Sequence, residues 1–250
     1  MGLSFSLMWS SAFATARIIV AAAPPLHSLA LRFFLAGVIS ILIAKLMGQT
    51  WRLTKSQWRA TLIFGLCQNA LYLGLNFIAM QKIEASLAAI IASTMPLLVA
   101  LLGWIFLREK LRPLAILGLL TGFFGVALIM SDRITTGVDI KGLILCVIAA
   151  VALATATLTM RGASGGGNLL MVVGLQMLVG SSILSVASWL WEPWFLVPSP
   201  ALFWAFTYQI FIPGLTATLL WFALVARLGA VRASSFHFLN PFFGVLIATF

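Results

Sequence analysis

The chain has 250 residues, of which 62% are hydrophobic and only 8% are charged. Charged residues make up about a quarter of an ordinary globular domain, so this composition argues against a soluble enzyme and against a secreted disulfide scaffold. The net charge of +10 does not indicate nucleic-acid binding, because the basic residues are scattered between long apolar runs and do not cluster on one face. Continuous apolar runs indicate a helical membrane protein, whereas the strands of a β-barrel alternate.

The N-terminal stretch admits two interpretations. Ala14-Thr15-Ala16 follows an apolar run and resembles the cleavage site of a signal peptide. The residues before it contain no Lys or Arg, so the basic region that normally opens a signal peptide is missing. The stretch is better interpreted as the first membrane helix.

Apolar runs long enough to cross a hydrocarbon core of about 30 Å follow one another along the whole chain. These nine runs cover residues 3–22, 28–47, 58–79, 85–106, 113–131, 140–160, 168–190, 201–225 and 231–250. Short segments rich in Pro, Gly and charged residues separate them and leave no room for a soluble domain. The sequence therefore predicts an all-α, polytopic membrane protein.

The distribution of Lys and Arg predicts the orientation in the membrane. Loops on the cytoplasmic side of a membrane protein carry an excess of basic residues. The even-numbered connections and their flanks hold ten of the fifteen basic residues, and the odd-numbered connections hold three. We therefore expect the even-numbered connections, and with them the N-terminus, to be cytoplasmic.

The chain also shows a weak internal duplication. An offset of about 145 residues aligns the third and fourth predicted helices with the eighth and ninth, and it places Pro96 on Pro241 and Lys82 on Arg227. Each copy has a helix, a short loop with a basic residue and a helix interrupted by proline. Because five helices separate the copies, the two halves have opposite orientations, as in the inverted repeats of many secondary transporters. By the same logic a tenth helix is expected after Phe250.

Three segments carry a resemblance to a known family. They are residues 9–13 (WSSAF) in the first helix, 31–37 (LRFFLAG) in the second, and 85–88 (ASLA) leading to 96–98 (PLL) in the fourth. These segments resemble the EamA repeat of the drug/metabolite transporter superfamily. The fourth helix ends in an Arg-Glu pair where the family typically has Gly-Glu, so Arg108 departs from the pattern.

The resemblance covers essentially the whole chain. It implies a bacterial inner-membrane carrier with a ten-helix fold of two inverted five-helix repeats, here residues 1–131 and 139–250, with the second repeat lacking its last helix. Family members export amino acids and other metabolites. The chain is most similar to the exporters of aromatic amino acids of the YddG type.

Polar side chains on the third helix form one stripe. Gln68, Asn69, Tyr72 and Asn76 recur at helical spacing and so share a face. Polar groups are costly in hydrocarbon and usually face the bundle interior or a watery cavity, so the stripe predicts part of a substrate-binding site. The alternative is that these groups only bond neighbouring helices, at about a kcal/mol or less each.

The fourth, eighth and ninth helices contribute further candidates for a cavity between the halves. These substrate-binding candidates are Ser93, Trp204, Tyr208, Trp221, His237 and Asn240. Amides and hydroxyls would hold a polar head of the substrate, and aromatic rings would hold an apolar tail. For Trp221 and His237, packing in the bundle is the competing interpretation, although an imidazole could also carry a proton.

Prolines within the spans are candidate hinges. Pro96, Pro213 and Pro241 each free a backbone carbonyl and bend the helix. Their possible repeat symmetry favours hinges for alternating access, and fixed kinks are the alternative. Arg32, about one turn inside the outer mouth by this map, could attract a carboxylate or extend to the interface.

The acidic residues predict how transport is driven. All five, Glu84, Glu109, Asp132, Asp139 and Glu192, map to loops or helix ends. Proton- or sodium-coupled carriers commonly place a carboxylate at mid-membrane. The sequence therefore predicts uncoupled facilitated diffusion, or at most coupling through a histidine.

The combined prediction is a transporter, and not an enzyme, that exports aromatic or other hydrophobic amino acids. A permease for other metabolites or drugs is the alternative, and a structural membrane subunit stays open. A membrane-embedded enzyme would need clustered Asp, Glu, His or Cys, which the sequence does not supply. The expected partners are an amino-acid substrate and the lipid bilayer. No cofactor or metal is expected, since Cys67 and Cys146 lack ligand spacing, and monomer and homodimer are both open.

Overall fold

The computed structural model describes residues 1–108, 113–134, 139–160 and 167–248. Glu109, Lys110, Arg112 and Arg161 fall outside the described residues, as do the side chains of Asp132 and Arg133. Within the described ranges all regular structure is helical. The predicted all-α class is confirmed.

Nine consecutive helical segments follow the chain through the described ranges. They are α1 (Gly2–Ala22), α2 (Pro25–Leu46), α3 (Lys55–Ala79), α4 (Ala85–Leu107), α5 (Pro113–Ile134), α6 (Ile140–Thr159), α7 (Leu169–Trp191), α8 (Pro200–Leu228) and α9, which runs from Ala230–Ser234 through Ser235–Leu239 to Asn240–Ala248. Seven of them, all but α5 and α9, are long and apolar enough to cross a membrane by length and composition.

Two helices begin earlier than the apolar runs predicted, because polar or cyclic residues open them. Helix α2 begins at Pro25, whose fixed φ suits the first turn. Helix α3 begins at Lys55, after a capping box in which the Thr54 hydroxyl accepts from Gln57 N and the Gln57 side chain accepts from Thr54 N. Hydropathy alone misses such starts, since capping residues are polar.

Helices α2 and α7 form the central antiparallel pair and pack against each other more extensively than any other two. A Cβ atom added to Gly37 would lie 3.0 Å from the carbonyl oxygen of Gly174, and one added to Gly174 would lie 2.9 Å from the carbonyl oxygen of Gly37. Small residues of this kind let two membrane helices approach at backbone distance.

Hydroxyl groups reinforce the α2–α7 contact at both ends. Ser40 Oγ donates to the carbonyl of Leu170 at 2.9 Å, and Ser181 Oγ donates to the carbonyl of Ala30 at 2.8 Å. Interhelical hydrogen bonds of this kind stabilise membrane helix pairs by about 0.6 kcal/mol on average. The pair is therefore held by close backbone contact and by side-chain bonds.

The packing repeats itself when the halves are exchanged. Helix α1 packs on α8 and α9, and its counterpart α6 packs on α3 and α4. On the central pair, an offset of 144 residues makes Ala30 equivalent to Gly174 and Ser181 equivalent to Gly37. The contact between Ala30 and Ser181 is therefore equivalent to the contact between Gly174 and Gly37. The helices are antiparallel, so the relation is an inverted repeat whose axis lies in the membrane plane.

Both halves also carry the same helix irregularities. A π-helical segment occupies Gly65–Leu73 in α3 and Ile210–Ala217 in α8, at the 145-residue offset seen in the sequence. Helix α4 is interrupted between Ala92 and Met95, and α9 passes through the 3₁₀ turn Ser235–Leu239 at the equivalent position. π-helical segments are rare and frequently occur at functional sites.

The close approach of α2 and α7 can be tested with one methyl group. Gly174→Ala would place a carbon 2.6 Å from Ile41 Cγ1 and 2.9 Å from a backbone oxygen, and overpacking of this kind costs about 1–3 kcal/mol. We expect a lower melting temperature for the purified protein in detergent. Gly118→Ala is the matched control, because nothing lies within 4 Å of its added carbon. Equal melting temperatures for the two variants would contradict this packing.

Candidate functional site

A cavity lies inside the bundle between α1, α2, α3 and α8. Its wall consists of Trp9, Ala12, Phe13, Ala16, Arg32, Phe33, Gln68, Asn69, Tyr72, Leu73, Asn76, Phe77, Met80, Gln209, Pro213 and Thr218. Its volume is about 30 Å³, which gives room for about two water molecules. The helices or side chains must therefore move before the cavity can hold a solute of amino-acid size.

The polar stripe of α3 forms one wall of this cavity. Gln68, Asn69, Tyr72 and Asn76 are all buried and all line it. The first three lie in the π-helical segment Gly65–Leu73, which has a wider turn than an α-helix. The stripe keeps its common face through this change of helix type.

Two members of the stripe also hold helices together. Asn69 Nδ2 donates to the carbonyl of Gln176 at 3.0 Å and to the Gln176 side chain. Asn76 Nδ2 donates to the carbonyl of Tyr72 at 2.8 Å, and Asn76 Oδ1 accepts from Cys146 Sγ at 3.3 Å. These amides thus have the packing role that the sequence left open, in addition to their position on the cavity wall.

Gln68 and Gln209 present free acceptors. Among the described residues, Oε1 of each is buried without a hydrogen-bond partner. Gln209 belongs to α8, where its Nε2 donates to the carbonyl of Ala12 at 2.7 Å and to Thr15 Oγ1 at 2.8 Å. The sequence analysis did not predict Gln209 as a site residue and selected the aromatic residues Trp204 and Tyr208 on this helix. An amide inside an apolar span could have indicated it, because such groups are costly in lipid.

Aromatic rings form the apolar part of the wall. Trp9 and Tyr72 stack with their ring centroids 6.1 Å apart, and Trp9 Nε1 donates to the Tyr72 hydroxyl at 3.4 Å. Phe13, Phe33 and Phe77 complete this surface. The cavity therefore combines amide groups with aromatic rings.

Arg32 lies in the same wall, two turns inside α2, and is only 3% exposed. It therefore does not extend to the membrane interface. Its Nε and Nη1 have no hydrogen-bond partner among the described residues. Its guanidinium lies over the ring of Phe33, with Cζ 4.9 Å from the ring centroid.

The three acidic residues with described side chains are engaged elsewhere, and one of them, Glu84, accepts from Ser86 Oγ at 3.2 Å. Asp139 accepts from Gly142 N at 2.6 Å at the start of α6. Glu192 accepts from the backbone nitrogens of Leu26 and His27 at 2.8 and 3.0 Å, at the start of α2. Both carboxylates thus satisfy helix N-termini, and neither lines the cavity.

Six of the ten predicted substrate-binding residues do not line the cavity, and Trp204, Tyr208 and Ser93 are three of them. Trp204 is 68% exposed on the outer surface of α8. The Tyr208 hydroxyl lies 2.7 Å from Ser11 Oγ, at the contact of α8 with α1. Ser93 is buried, and its Oγ donates to the carbonyl of Ile90 at 2.5 Å. Residues spaced three or four apart lie on one face of a helix, but the spacing does not show whether that face points toward the cavity.

Trp221, His237 and Asn240 form a second buried cluster behind Trp9. The His237 ring lies 5.1 Å from that of Trp221 and 5.5 Å from that of Trp9, edge to face in both cases. Asn240 Nδ2 lies 2.9 Å from His237 Nδ1, and Asn240 Oδ1 accepts from Ser10 Oγ at 3.3 Å. These groups support Trp9 and do not line the cavity.

The three prolines fall at the helix irregularities. Pro213 lies in the π-helical segment of α8 and lines the cavity. Pro96 follows the interruption of α4, and Pro241 follows the 3₁₀ turn of α9. Each therefore adjoins a break that the repeat shares.

Within the part of the chain that the structure describes, no three His, Cys, Asp or Glu side chains come together as metal ligands. The donors on the described wall residues are amides, hydroxyls, the indole N–H of Trp9 and one guanidinium. Such groups suit hydrogen bonding to an organic solute.

An inverted helical repeat around a central cavity is a common architecture of multi-pass membrane carriers. The model of the EamA-like transporter family matches residues 1–131 and 140–250. The chain belongs to this family and is a membrane transporter of that type.

Relatives of known name agree with this assignment. The uncharacterised transporter YvbV of Bacillus subtilis (strain 168) is 26% identical over 97% of this chain and 80% of its own length. The uncharacterised inner membrane transporter YedA of Escherichia coli (strain K12) is 26% identical over 97% of this chain and 79% of its own length. A solved crystal structure with 21% identity matches with a TM-score of 0.77, over 99% of this chain and 85% of that one, which supports the fold.

The two roles of the α3 stripe can be separated by stability. Asn69→Ala removes the bonds to Gln176, and we expect a loss of about 1 kcal/mol, seen as a lower melting temperature in detergent. Gln68→Ala is the comparison, because Gln68 Oε1 has no partner to lose; only packing is lost, and the melting temperature should fall less than in Asn69→Ala. Equal losses in both variants would show that the α3–α7 bonds contribute nothing specific.

Proposed function

We propose that this transporter exports small amphipathic metabolites, with aromatic and other hydrophobic amino acids as the leading substrates, by alternating access through the central cavity. The observation that carries the proposal is the composition of the cavity wall. Amide acceptors on Gln68 and Gln209 face the same space as the rings of Trp9, Tyr72 and Phe77. A solute with a polar head and an aromatic side chain matches both kinds of surface.

Movement is required for this function, and the repeat supplies symmetric places for it. The cavity is too small for an amino acid, so the bundle must open toward each side in turn. Helices α3, α4, α8 and α9 carry π, broken or 3₁₀ segments at equivalent positions, and Pro96, Pro213 and Pro241 adjoin the last three breaks. We assign these segments as the hinges.

We further propose that transport is uncoupled facilitated diffusion. Support comes from the cavity wall, whose described residues include amides and one arginine but no carboxylate or histidine. His237 packs among aromatic rings behind the wall, so coupling through this histidine is the second option. A permease for other metabolites is the alternative substrate assignment, and we favour amino acids because of the paired amide and aromatic surfaces.

The proposed orientation places the N-terminus in the cytoplasm of a bacterial cell, with the protein in the inner membrane. The basic residues of the even-numbered connections support it. The relative YedA is named an inner membrane transporter, which agrees with this location. In this orientation Glu192 and His27 lie at the outer surface.

Uptake into proteoliposomes tests the substrate and the coupling together. We expect uptake of labelled phenylalanine and tryptophan, weaker uptake of threonine and none of a sugar phosphate, because only the first two match the aromatic wall. An imposed pH gradient should leave the final accumulation unchanged. Absence of transport of every amino acid would refute the substrate assignment, and accumulation that requires the gradient would refute uncoupled transport.

The position of the site is tested by two aromatic truncations. Tyr72→Ala should lower phenylalanine uptake about tenfold or more, since a ring contact and its hydrogen bond are lost from the wall. Trp204→Ala is the matched control on the outer surface of α8 and should retain wild-type uptake. Membrane insertion of both variants is checked by immunoblotting of membrane fractions. If Trp204→Ala lowered phenylalanine uptake more than Tyr72→Ala, the substrate would bind at the aromatic face of α8 that the sequence indicated, and the proposed position of the site would be wrong.

A further inference from the structure

We propose that Arg32 is the anion-binding residue of the cavity and that the transported solutes carry a carboxylate, which the guanidinium holds. The inference rests on the proposed function for the identity of the site, and it adds the charge that a substrate must bear. It stands on the burial of Arg32, on the absence of a partner for its Nε and Nη1 among the described residues, and on its place in the cavity wall.

A buried charge without a partner is unfavourable, so proteins pair such groups or use them for function. Only 3% of the surface of Arg32 is exposed to solvent. The described carboxylates of Asp139 and Glu192 bond helix N-termini instead. A guanidinium offers two parallel N–H groups, and a carboxylate accepts both.

The inverted repeat shows why Arg32 is left without a partner. The 144-residue offset of the central helices makes Gln176 the counterpart of Arg32, and the 145-residue offset makes Asn69 the counterpart of Gly214. Gln176 and Asn69 bond each other across α7 and α3. At the symmetry-related contact, between α2 and α8, the amide is replaced by Gly214, whose added Cβ would lie 3.9 Å from Arg32 Nε.

The two symmetry-related contacts between the halves therefore differ in their side chains. At one contact Gln176 Oε1 accepts from Asn69, although Gln176 Nε2 has no partner among the described residues. At the other contact Arg32 lies beside a glycine, which has no side chain that could bond it.

The repeat interchanges two contacts of the central pair, Ala30 with Ser181 and Gly37 with Gly174, so its in-plane axis passes between them. Arg32 lies on α2 between Ala30 and Gly37 and is therefore near the level of this axis. Substrate sites of inverted-repeat carriers lie near this midplane.

The free acceptors complete a site for a zwitterion. Gln68 Oε1 and Gln209 Oε1 line the same cavity and lack partners among the described residues. They are suited to accept from an ammonium group while Arg32 donates to the carboxylate. In this arrangement Arg32 binds the carboxylate of the substrate, and the two amide oxygens accept hydrogen bonds from its ammonium group where one is present.

Ligand-induced stabilisation of the purified full chain tests this without relying on transport. The probes are 3-phenylpropionate and its neutral amide, which differ only in the carboxylate. We expect the acid to raise the melting temperature of wild type and the amide to leave it unchanged, because only a ligand that binds the folded state stabilises it. Arg32→Gln should lose the response, with affinity lowered about tenfold or more, and Arg32→Lys should keep part of it.

Arg17→Gln is the matched control. Arg17 is not itself a wall residue, and it donates to the backbone carbonyls of Met80 and Ile83, so this variant should retain the preference for the acid. Equal responses of wild type to acid and amide, or no response to either, would overturn the inference even if Arg32→Gln fails to fold. A preference for the acid that survives in Arg32→Gln would overturn it as well.

The outcome is separable from that of the proposed function. If proteoliposomes transport phenylalanine, and phenylalaninamide competes with it as well as unlabelled phenylalanine does, amino-acid transport stands and the role of Arg32 is refuted. If the acid stabilises the protein through Arg32 but no amino acid is transported, the anion site stands and the substrate assignment falls.

Discussion

The close antiparallel contact of α2 and α7 is the constraint on which the rest of the structure depends. Hydrocarbon offers no hydrophobic driving force between helices, so membrane helices associate through close packing and hydrogen bonds. Gly37 and Gly174 bring the two backbones together, and Ser40 and Ser181 bond across the pair. Because each half of the repeat contributes one helix, this pair fixes the relation between the halves, and the other helices pack around it in symmetric sets.

The site arises where this symmetry is broken. Equivalent helices from the two halves carry the same π-helical and interrupted segments, yet the side chains at equivalent positions differ. The bonded pair of Gln176 and Asn69 at one contact between the halves corresponds to Arg32 and Gly214 at the symmetry-related contact. An inverted repeat thus supplies similar hinges on both sides of the membrane, while the asymmetric side chains give the cavity its charge and its amide acceptors.

Much of the fold was predictable because the bilayer imposes simple rules on the sequence. Apolar runs gave the helices, and the 145-residue offset from Pro96 to Pro241 indicated the inverted repeat. The stripe from Gln68 to Asn76 was predictable as a wall, since polar groups avoid lipid. The π-helical segments were not, because they depend on contacts with neighbouring helices and leave no periodic signal. Trp204 shows the limit for apolar residues, since an aromatic ring is stable facing either lipid or protein.

The sequence by itself determined the class of protein, the helices and the cost of each polar group within them. Only the tertiary structure decided which polar groups bond each other and which stay free. Asn69 and Gln68 are neighbours on one helix, yet one is bonded to α7 and the other has a free acceptor. Arg32 could have reached the interface from an isolated helix, but the packing of α2 against α7 and α8 holds it in the cavity wall. The physical reason is that hydrogen-bond partners come from other helices, whose distance and rotation no local pattern encodes.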